Sequence, residues 1–295
     1  MDGALNRSSV PRFLSRVAVV RLLLFFLMLA TTDVGVQIAL TQAVKHVPSP
    51  YIEGAAVAGA FGACIVLAAV YASLVWSLER RRPRELALLP GAPLAVAGVL
   101  FGFMLFAVVY AVLWALGVAH WQGFAGYAGI VRTAIPAMIA AVGEELAIRG
   151  GVFRILEDGF GTLVALVLSA ALFGLLHALN PGATAASTAA IALEAGLLLG
   201  AAYAVTRNLW FPIGLHFGWN FTEGGVFGAA VSGGEGGHGI VRMSLNGPDL
   251  LTGGAFGPEA SLVAVAICLA AAVVLLAAAI RRRHWVRLSF NMILD

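Results

Sequence analysis

The sequence predicts an all-α fold, a polytopic membrane helix bundle of about eight transmembrane helices, and two observations lead to this prediction. Hydrophobic residues make up 61% of the 295-residue chain and charged residues only 11%, whereas soluble domains have roughly 45–50% and about 25%. The apolar residues form blocks between Val17 and Ile280, with no polar stretch long enough to fold separately. We therefore predict one membrane domain over residues 1–295.

Each apolar block has about the length of a membrane span. At about 1.5 Å per residue, roughly 20 residues cross the hydrocarbon layer. The first block follows Arg7, Arg12 and Arg16, as in a signal peptide, but it is too long and lacks an AxA cleavage pattern, so we keep it as a span. We place the spans at about 18–40, 53–77, 92–118, 129–156, 162–179, 184–205, 209–229 and 258–280. The fourth to seventh spans, at about 129–229, are less purely apolar than the others and form the predicted functional core.

The basic residues predict the orientation of the chain in the membrane. Of the 18 lysines and arginines, only Lys45, Arg132 and Arg242 fall outside the cytoplasm when the N-terminus is cytoplasmic and eight spans follow. This asymmetry follows the positive-inside rule. We predict a multi-pass protein of the cell membrane, in a bacterial inner membrane, with both termini cytoplasmic. Basic clusters at helix ends fit the lipid bilayer as a partner and do not indicate a nucleic-acid partner.

One long connection, at about 230–257, is rich in glycine and is predicted to be a flexible external loop. It is either a linker or a mobile flap over a site, because long loops are often functional. The sequence contains no internal repeat, which disfavours transporters built from duplicated halves.

The fourth span contains three ionisable residues, Glu144, Glu145 and Arg149. Each costs at least about 2.5–3.5 kcal/mol near the centre of a membrane and therefore needs an explanation. Glu145 and Arg149 are i,i+4 neighbours on one helical face, whereas Glu144 is turned about 100° away from Glu145. A carboxylate held ionised by a guanidinium, beside a second one that is free to take a proton, suits acid/base chemistry.

Two later spans carry His177 and the i,i+4 pair of His216 and Asn220. Measured from the turn at about 157–161, Glu144 lies roughly 20 Å along its span and His177 roughly 24 Å along the next. Counted from the same side, His216 and Asn220 lie at roughly 13 and 19 Å. All these groups can therefore meet in one polar layer within the bilayer.

Each of these residues alone also has a structural interpretation. Intramembrane histidines and asparagines can hydrogen bond between helices, and a Glu/Arg pair can be a simple ion pair. Their conjunction at one depth favours a functional site. Asp33, Arg132 and Glu194 are expected to pair structurally or to line a wet cavity. Trp219 and Glu223 are candidates to border the site because they are close to it in sequence.

Three ordered motifs on separate apolar spans carry a family resemblance: Glu144-Glu145-x-x-x-Arg149, Phe173-x-x-x-His177 and His216-x-x-x-Asn220. The stretch from Glu144 to Phe221 resembles the core of the CPBP family of CAAX-type and bacteriocin-processing intramembrane proteases. The resemblance implies hydrolysis of a peptide bond by an activated water. It assigns water activation to Glu144 with His177, oxyanion stabilisation to His216 and Asn220, and support of the site to Glu145 and Arg149.

No cofactor is favoured, although a divalent metal such as zinc is an alternative. A catalytic zinc takes three protein ligands plus water, and Glu144, His177 and His216 are the residues that can supply them. The chain has no HExxH motif, and Cys64 and Cys268 lack the CxxC spacing of a thiolate site.

The expected substrate is a membrane-associated peptide or protein segment. Two other functions stay open from the sequence. Buried Glu, His and Arg also mark the pathways of ion-coupled transporters, and a non-catalytic membrane scaffold of the same fold would retain the same residues.

Overall fold

A computed structural model describes residues 10–288, and helices dominate this part of the chain. Every predicted span coincides with a helix or a helical run, so the all-α class is confirmed; Arg7, used to predict the orientation, lies outside the described residues. The helices are α1 Val10–Val44, α2 Ile52–Glu79, α3 Leu88–Ala115, α4 Ile130–Glu145, α5 Arg154–Phe160, α6 Thr162–His177, α7 Ala185–Ile191, α8 Leu197–Thr206, α9 Trp210–Asn220, α10 Asp249–Thr252 and α11 Leu262–Arg281.

In the described part of the chain, three π-helical segments interrupt or extend these helices. Leu146–Phe153 joins α4 to α5, Ala192–Gly196 joins α7 to α8, and Phe221–Val226 extends α9. The fourth, sixth and seventh predicted spans are therefore continuous helical runs whose pitch widens locally. Such π-helical turns are often found at functional sites.

Within residues 10–288, five helical stretches are long and apolar enough to cross a membrane: Val19–Val44, Ser49–Glu79, Leu88–Ala115, Ala185–Thr206 and Leu262–Arg281. Helix α6 is apolar but shorter. The runs that begin with α4 and α9 are helical at the predicted positions, and their crossing of the membrane stays a prediction. The chain is thus a multi-pass membrane protein.

The distribution of polarity is that of a protein surrounded by lipid. Large apolar side chains face outward, such as Leu89 at 95% exposure and Trp76 at 73%, while Glu145 and Arg149 are fully buried. An exposed apolar surface of this extent is unfavourable in water but suits acyl chains.

Helices α3 and α9 pack closely because each carries two glycines four residues apart. A Cβ added at Gly98 or Gly102 of α3 would lie 2.3 or 2.2 Å from a backbone oxygen of α9, and one added at Gly214 or Gly218 would lie 2.2 or 2.3 Å from a backbone oxygen of α3. Small residues at this spacing allow the backbones of membrane helices to touch. The contact fixes the depth of His216, which lies between the two glycines of α9.

A two-stranded antiparallel sheet joins distant parts of the chain and was not predicted. Strand β1, Ala119–Phe124, pairs with β2, Val241–Leu245, with an irregularity between Trp121 and Gly123. Strand β2 and helix α10 both lie in the segment 230–257, which therefore has more regular structure than we predicted. The flexibility of this segment stays a prediction.

A network of ion pairs connects the end of α2 to the segments that follow it. Glu85, which is 5% exposed, accepts hydrogen bonds from Arg81 at 2.7 and 2.8 Å and from the Tyr71 hydroxyl at 2.5 Å. Burial of Glu85 disfavours its ionised form, but the donors from Arg81 and Tyr71 outweigh burial and hold the pKa of its carboxyl below the ordinary value. Arg154 binds Glu79 at 2.7 Å in the same network.

Candidate active site

A fully buried ion pair lies where α4 continues into its π-helical segment. Arg149 donates from Nη1 to Oε1 of Glu145 at 2.7 Å, and both side chains are 0% exposed. Nη2 of Arg149 donates to the carbonyl oxygens of Ala195 and Gly196 at 3.3 and 3.2 Å, and its guanidinium stacks on the ring of Phe173 at 4.6 Å. The pair therefore ties the fourth, fifth and sixth helical runs together.

The same carboxylate orients His216 on α9. Nδ1 of His216 lies 3.2 Å from Oε1 of Glu145, and because an ionised carboxylate oxygen can only accept, Nδ1 carries the proton. Nε2 is left as the ring nitrogen that can serve a substrate. Glu145 thus links the first and third motifs from behind the site.

Glu144 occupies a different environment from its neighbour. Its side chain is half-buried and lines a cavity, and its Oε2 atom has no hydrogen-bond partner among the described residues. Adjacent positions on one helix thus place one carboxylate in an ion pair and the other at an open space. Glu144 is the carboxylate that can receive a proton from a molecule in the cavity.

His177 at the end of α6 is held by its own helix. Its Nδ1 lies 2.8 Å from the carbonyl oxygen of Phe173. A carbonyl only accepts hydrogen bonds, so Nδ1 is protonated and Nε2 of the neutral ring carries the lone pair. The ring of Phe173 lies 4.6 Å from that of His177 and 6.1 Å from that of His216, centre to centre, and so packs near both imidazoles.

Four of the six predicted site residues surround one cavity of about 360 Å³: Glu144, His177, His216 and Asn220. The other two, Glu145 and Arg149, lie behind the cavity wall. Further polar residues complete the lining, namely Arg132, Thr133, Asn180, Ser232, Glu235 and His238. Arg132 therefore lines this cavity, one of the roles expected for it from the sequence.

Some polar groups next to the site were missed. Glu259, 2% exposed and just before α11, accepts a hydrogen bond from the backbone N–H of Ser232 at 2.7 Å. Its own backbone N–H donates to Oε1 of Glu223 at 3.3 Å. An acidic residue at the start of the last apolar span was the available signal, but its partners lie 27 and 36 positions away.

The candidate metal ligands Glu144, His177 and His216 are not grouped in a metal-binding geometry in the described part of the chain, and metal dependence stays a prediction. Within residues 10–288, no group of three or more histidine, cysteine, aspartate or glutamate side chains has the geometry to hold a metal ion. Glu144, His177 and His216 share the cavity wall but not a common ligand point. We derive no catalytic step through a metal.

Residues 126–222 match the model of a protein family described as Rce1-like, type II CAAX prenyl endopeptidase. The matched segment covers 97 of the 295 residues and contains all six predicted site residues. Neither the curated proteins nor the solved structures gave a match. The segment 126–222 is thus similar to the Rce1-like CAAX prenyl endopeptidases, and this match supports the resemblance to the CPBP family that its motifs carry.

Proposed function

We propose that this protein is an intramembrane endopeptidase that hydrolyses a peptide bond of a membrane-associated peptide or protein. One observation carries the proposal. Glu144, His177, His216 and Asn220, from three helices, line a single cavity inside a domain of a CAAX-type endopeptidase family. A hydrolase needs a base, an oriented water and donors for an oxyanion in one space, and these side chains supply such groups.

The base of the proposed reaction is Glu144, assisted by His177. Glu144 accepts a proton from a water molecule in the cavity, and Nε2 of His177 accepts the other hydrogen of that water as a hydrogen bond. The water oxygen then bonds to the carbonyl carbon of the substrate. General-base assistance of this kind contributes typically about 10²–10⁴-fold to a rate.

The oxyanion is stabilised by His216 and Asn220. The Asn220 amide carries two N–H donors, and His216 donates from Nε2 when its ring is doubly protonated. As the tetrahedral intermediate breaks down, the proton held by Glu144 passes to the leaving nitrogen and the C–N bond breaks. The products are a carboxylic acid and an amine, and transfer of the remaining acid proton to the amine gives a carboxylate and an ammonium group, so the step balances without a cofactor.

Glu145 and Arg149 are positioning residues in this scheme. Neither lines the cavity, but Glu145 is the contact through which α4 orients His216. Removing one partner of a buried ion pair costs about 3–5 kcal/mol because the other charge is left uncompensated. Both residues are therefore needed for a fixed imidazole orientation.

The test is cleavage of a library of membrane-associated peptides by the purified protein in liposomes, with products identified by mass spectrometry. We expect Glu144→Gln and His177→Gln to lose about 10²–10⁴-fold in kcat/KM. The matched control is Glu53→Gln, an exposed carboxylate at the start of α2, which should cleave like wild type.

Cleavage unchanged in both site variants would refute the mechanism. Binding of peptides without cleavage by wild type would instead support a scaffold, and proton-driven solute uptake would support a transporter.

A further inference from the structure

A second, much smaller cavity adjoins the cavity of about 360 Å³ that Glu144 and His177 line, which we call the reaction chamber. Its volume is about 20 Å³, and it shares His177, His216, Asn220 and Ser232 with the larger cavity. The residues that it does not share include Glu194, Trp219 and Glu259. It is therefore a polar side compartment that opens among the proposed catalytic side chains.

Two polar atoms of the residues that line this compartment lack a partner within the described residues. They are Oε1 of Glu194 and the indole Nε1 of Trp219, on side chains that are 1% and 4% exposed. The first accepts hydrogen bonds and the second can only donate them. A buried polar atom without a hydrogen-bond partner is unfavourable. This donor and this acceptor therefore fit a small ligand that both donates and accepts hydrogen bonds.

The size of the compartment selects that ligand. A buried water molecule needs a cavity volume of at least about 10–15 Å³ and two to four polar partners. The larger cavity, at about 360 Å³, has room for part of a peptide. We propose that the compartment is a holding site for one water molecule, bound by Glu194 and Trp219, which supplies the water consumed at Glu144 and His177. The proposal rests on the hydrolytic function proposed above.

The surroundings of Glu194 suit a water molecule. The carboxyls of Glu259 and Glu223 lie near it, the Cys268 thiol is within hydrogen-bonding reach, and the positive charge of Arg149 is already paired with Glu145. Water accepts from a protonated carboxyl and donates to an ionised one, so it suits Glu194 in either state.

An intramembrane hydrolase has a specific need for such a site. Each turnover consumes one water molecule, while the apolar exterior of the bundle faces lipid. A held water beside the reaction chamber removes the wait for entry from bulk solvent. Its loss should therefore lower kcat and leave KM unchanged.

The test is X-ray radiolytic labelling of the purified protein in H₂¹⁸O, which oxidises side chains next to bound water. In wild type, Trp219 should be labelled despite its burial. Glu194→Gln keeps a carbonyl acceptor and should retain the label, whereas Glu194→Leu should lower the labelling of Trp219 at least fivefold. Trp210, which donates to the carbonyl of Leu86 and does not line the compartment, is the internal reference and should be unchanged.

The kinetic arm uses the same variants. Glu194→Leu should lower kcat about tenfold with KM unchanged, the scale of one lost hydrogen-bonded contact, while Glu194→Gln stays near wild type. Unlabelled Trp219 in wild type, or equal labelling in wild type and Glu194→Leu, overturns the water site. The expected labelling in a protein that cleaves no peptide would leave the water site standing and refute the endopeptidase function alone.

Discussion

The close contact between α3 and α9 makes Gly218→Ala a sharp perturbation of the site. A Cβ at Gly218 would lie 2.3 Å from the carbonyl oxygen of Val99, whereas ordinary contacts begin at 3.4 Å. The obstructing atom is backbone, so it cannot rotate away like the end of a side chain. Helix α9 must move away from α3 by 3.4 minus 2.3 Å, which is about 1.1 Å.

This shift acts directly on the proposed oxyanion donors. Gly218 lies between His216 and Asn220 on α9, so both side chains move relative to Glu144 on α4. A misplacement of about 1 Å can cost roughly 10²-fold in rate. We therefore expect Gly218→Ala to lower kcat by about that factor while the protein stays folded.

The assay compares kcat on a cleaved membrane peptide in liposomes, together with the thermal midpoint in detergent. The matched control is Gly62→Ala in α2, where an added Cβ meets nothing within 4 Å and alanine favours the helix by about 1 kcal/mol. Equal kcat for the two variants would refute the reasoning that this helix contact sets the site geometry.

Three other outcomes are expected. Arg149→Lys should lower the thermal midpoint and the activity together, because a single ammonium cannot replace both Nη groups, which bind Glu145 and two carbonyl oxygens; an unchanged midpoint would contradict this. The pKa of Glu85 is held below its ordinary value of 4.5, so its ionised carboxylate stabilises the fold above that pH, and this stabilisation is lost as the pH falls further. The difference in thermal midpoint between wild type and Glu85→Gln should therefore shrink in acid. A difference that stays constant with pH would contradict this. Both termini are predicted to be cytoplasmic. A fused C-terminal reporter protein that fluoresces only when it folds in the cytoplasm should therefore fluoresce, and a dark fusion would contradict this orientation.

The helices were predictable because composition determines them. Blocks of apolar residues near 20 in length have few options in lipid other than a helix, since every backbone N–H and C=O must be satisfied. The boundaries agree within a few residues for spans such as α11, placed at about 258–280 and observed at Leu262–Arg281. The local pattern of apolar residues alone was sufficient to place these helices.

The strands and π-helical segments were not predictable by the same reasoning. Strand β1 finds its partner β2 more than a hundred positions along the chain, and its sequence, AHWQGF, contains a glycine and little alternation. The π-helical segments depend on how neighbouring helices pack and leave no periodic trace in the sequence. Non-local contacts decided both features.

The candidate site likewise has a part that was predictable from the sequence and a part that was not. Spacing along single helices placed Glu145 beside Arg149, and matched depths brought Glu144 and His177 to one cavity. The glycine pairs of α3 and α9 were visible in the sequence but carry meaning only once the two helices are known to be neighbours. Glu259 was missed because it is joined to the core only by contacts between distant segments.

The central claim, that Glu144 and His177 act on one water molecule, is tested most directly by a double-mutant cycle on kcat/KM. When two residues act as a unit, replacing the second after the first causes little further loss of kcat/KM. The account predicts that the double variant Glu144→Gln with His177→Gln is no slower than the slower single variant. Losses that multiply in the double variant would show that the two side chains act independently and would contradict the account.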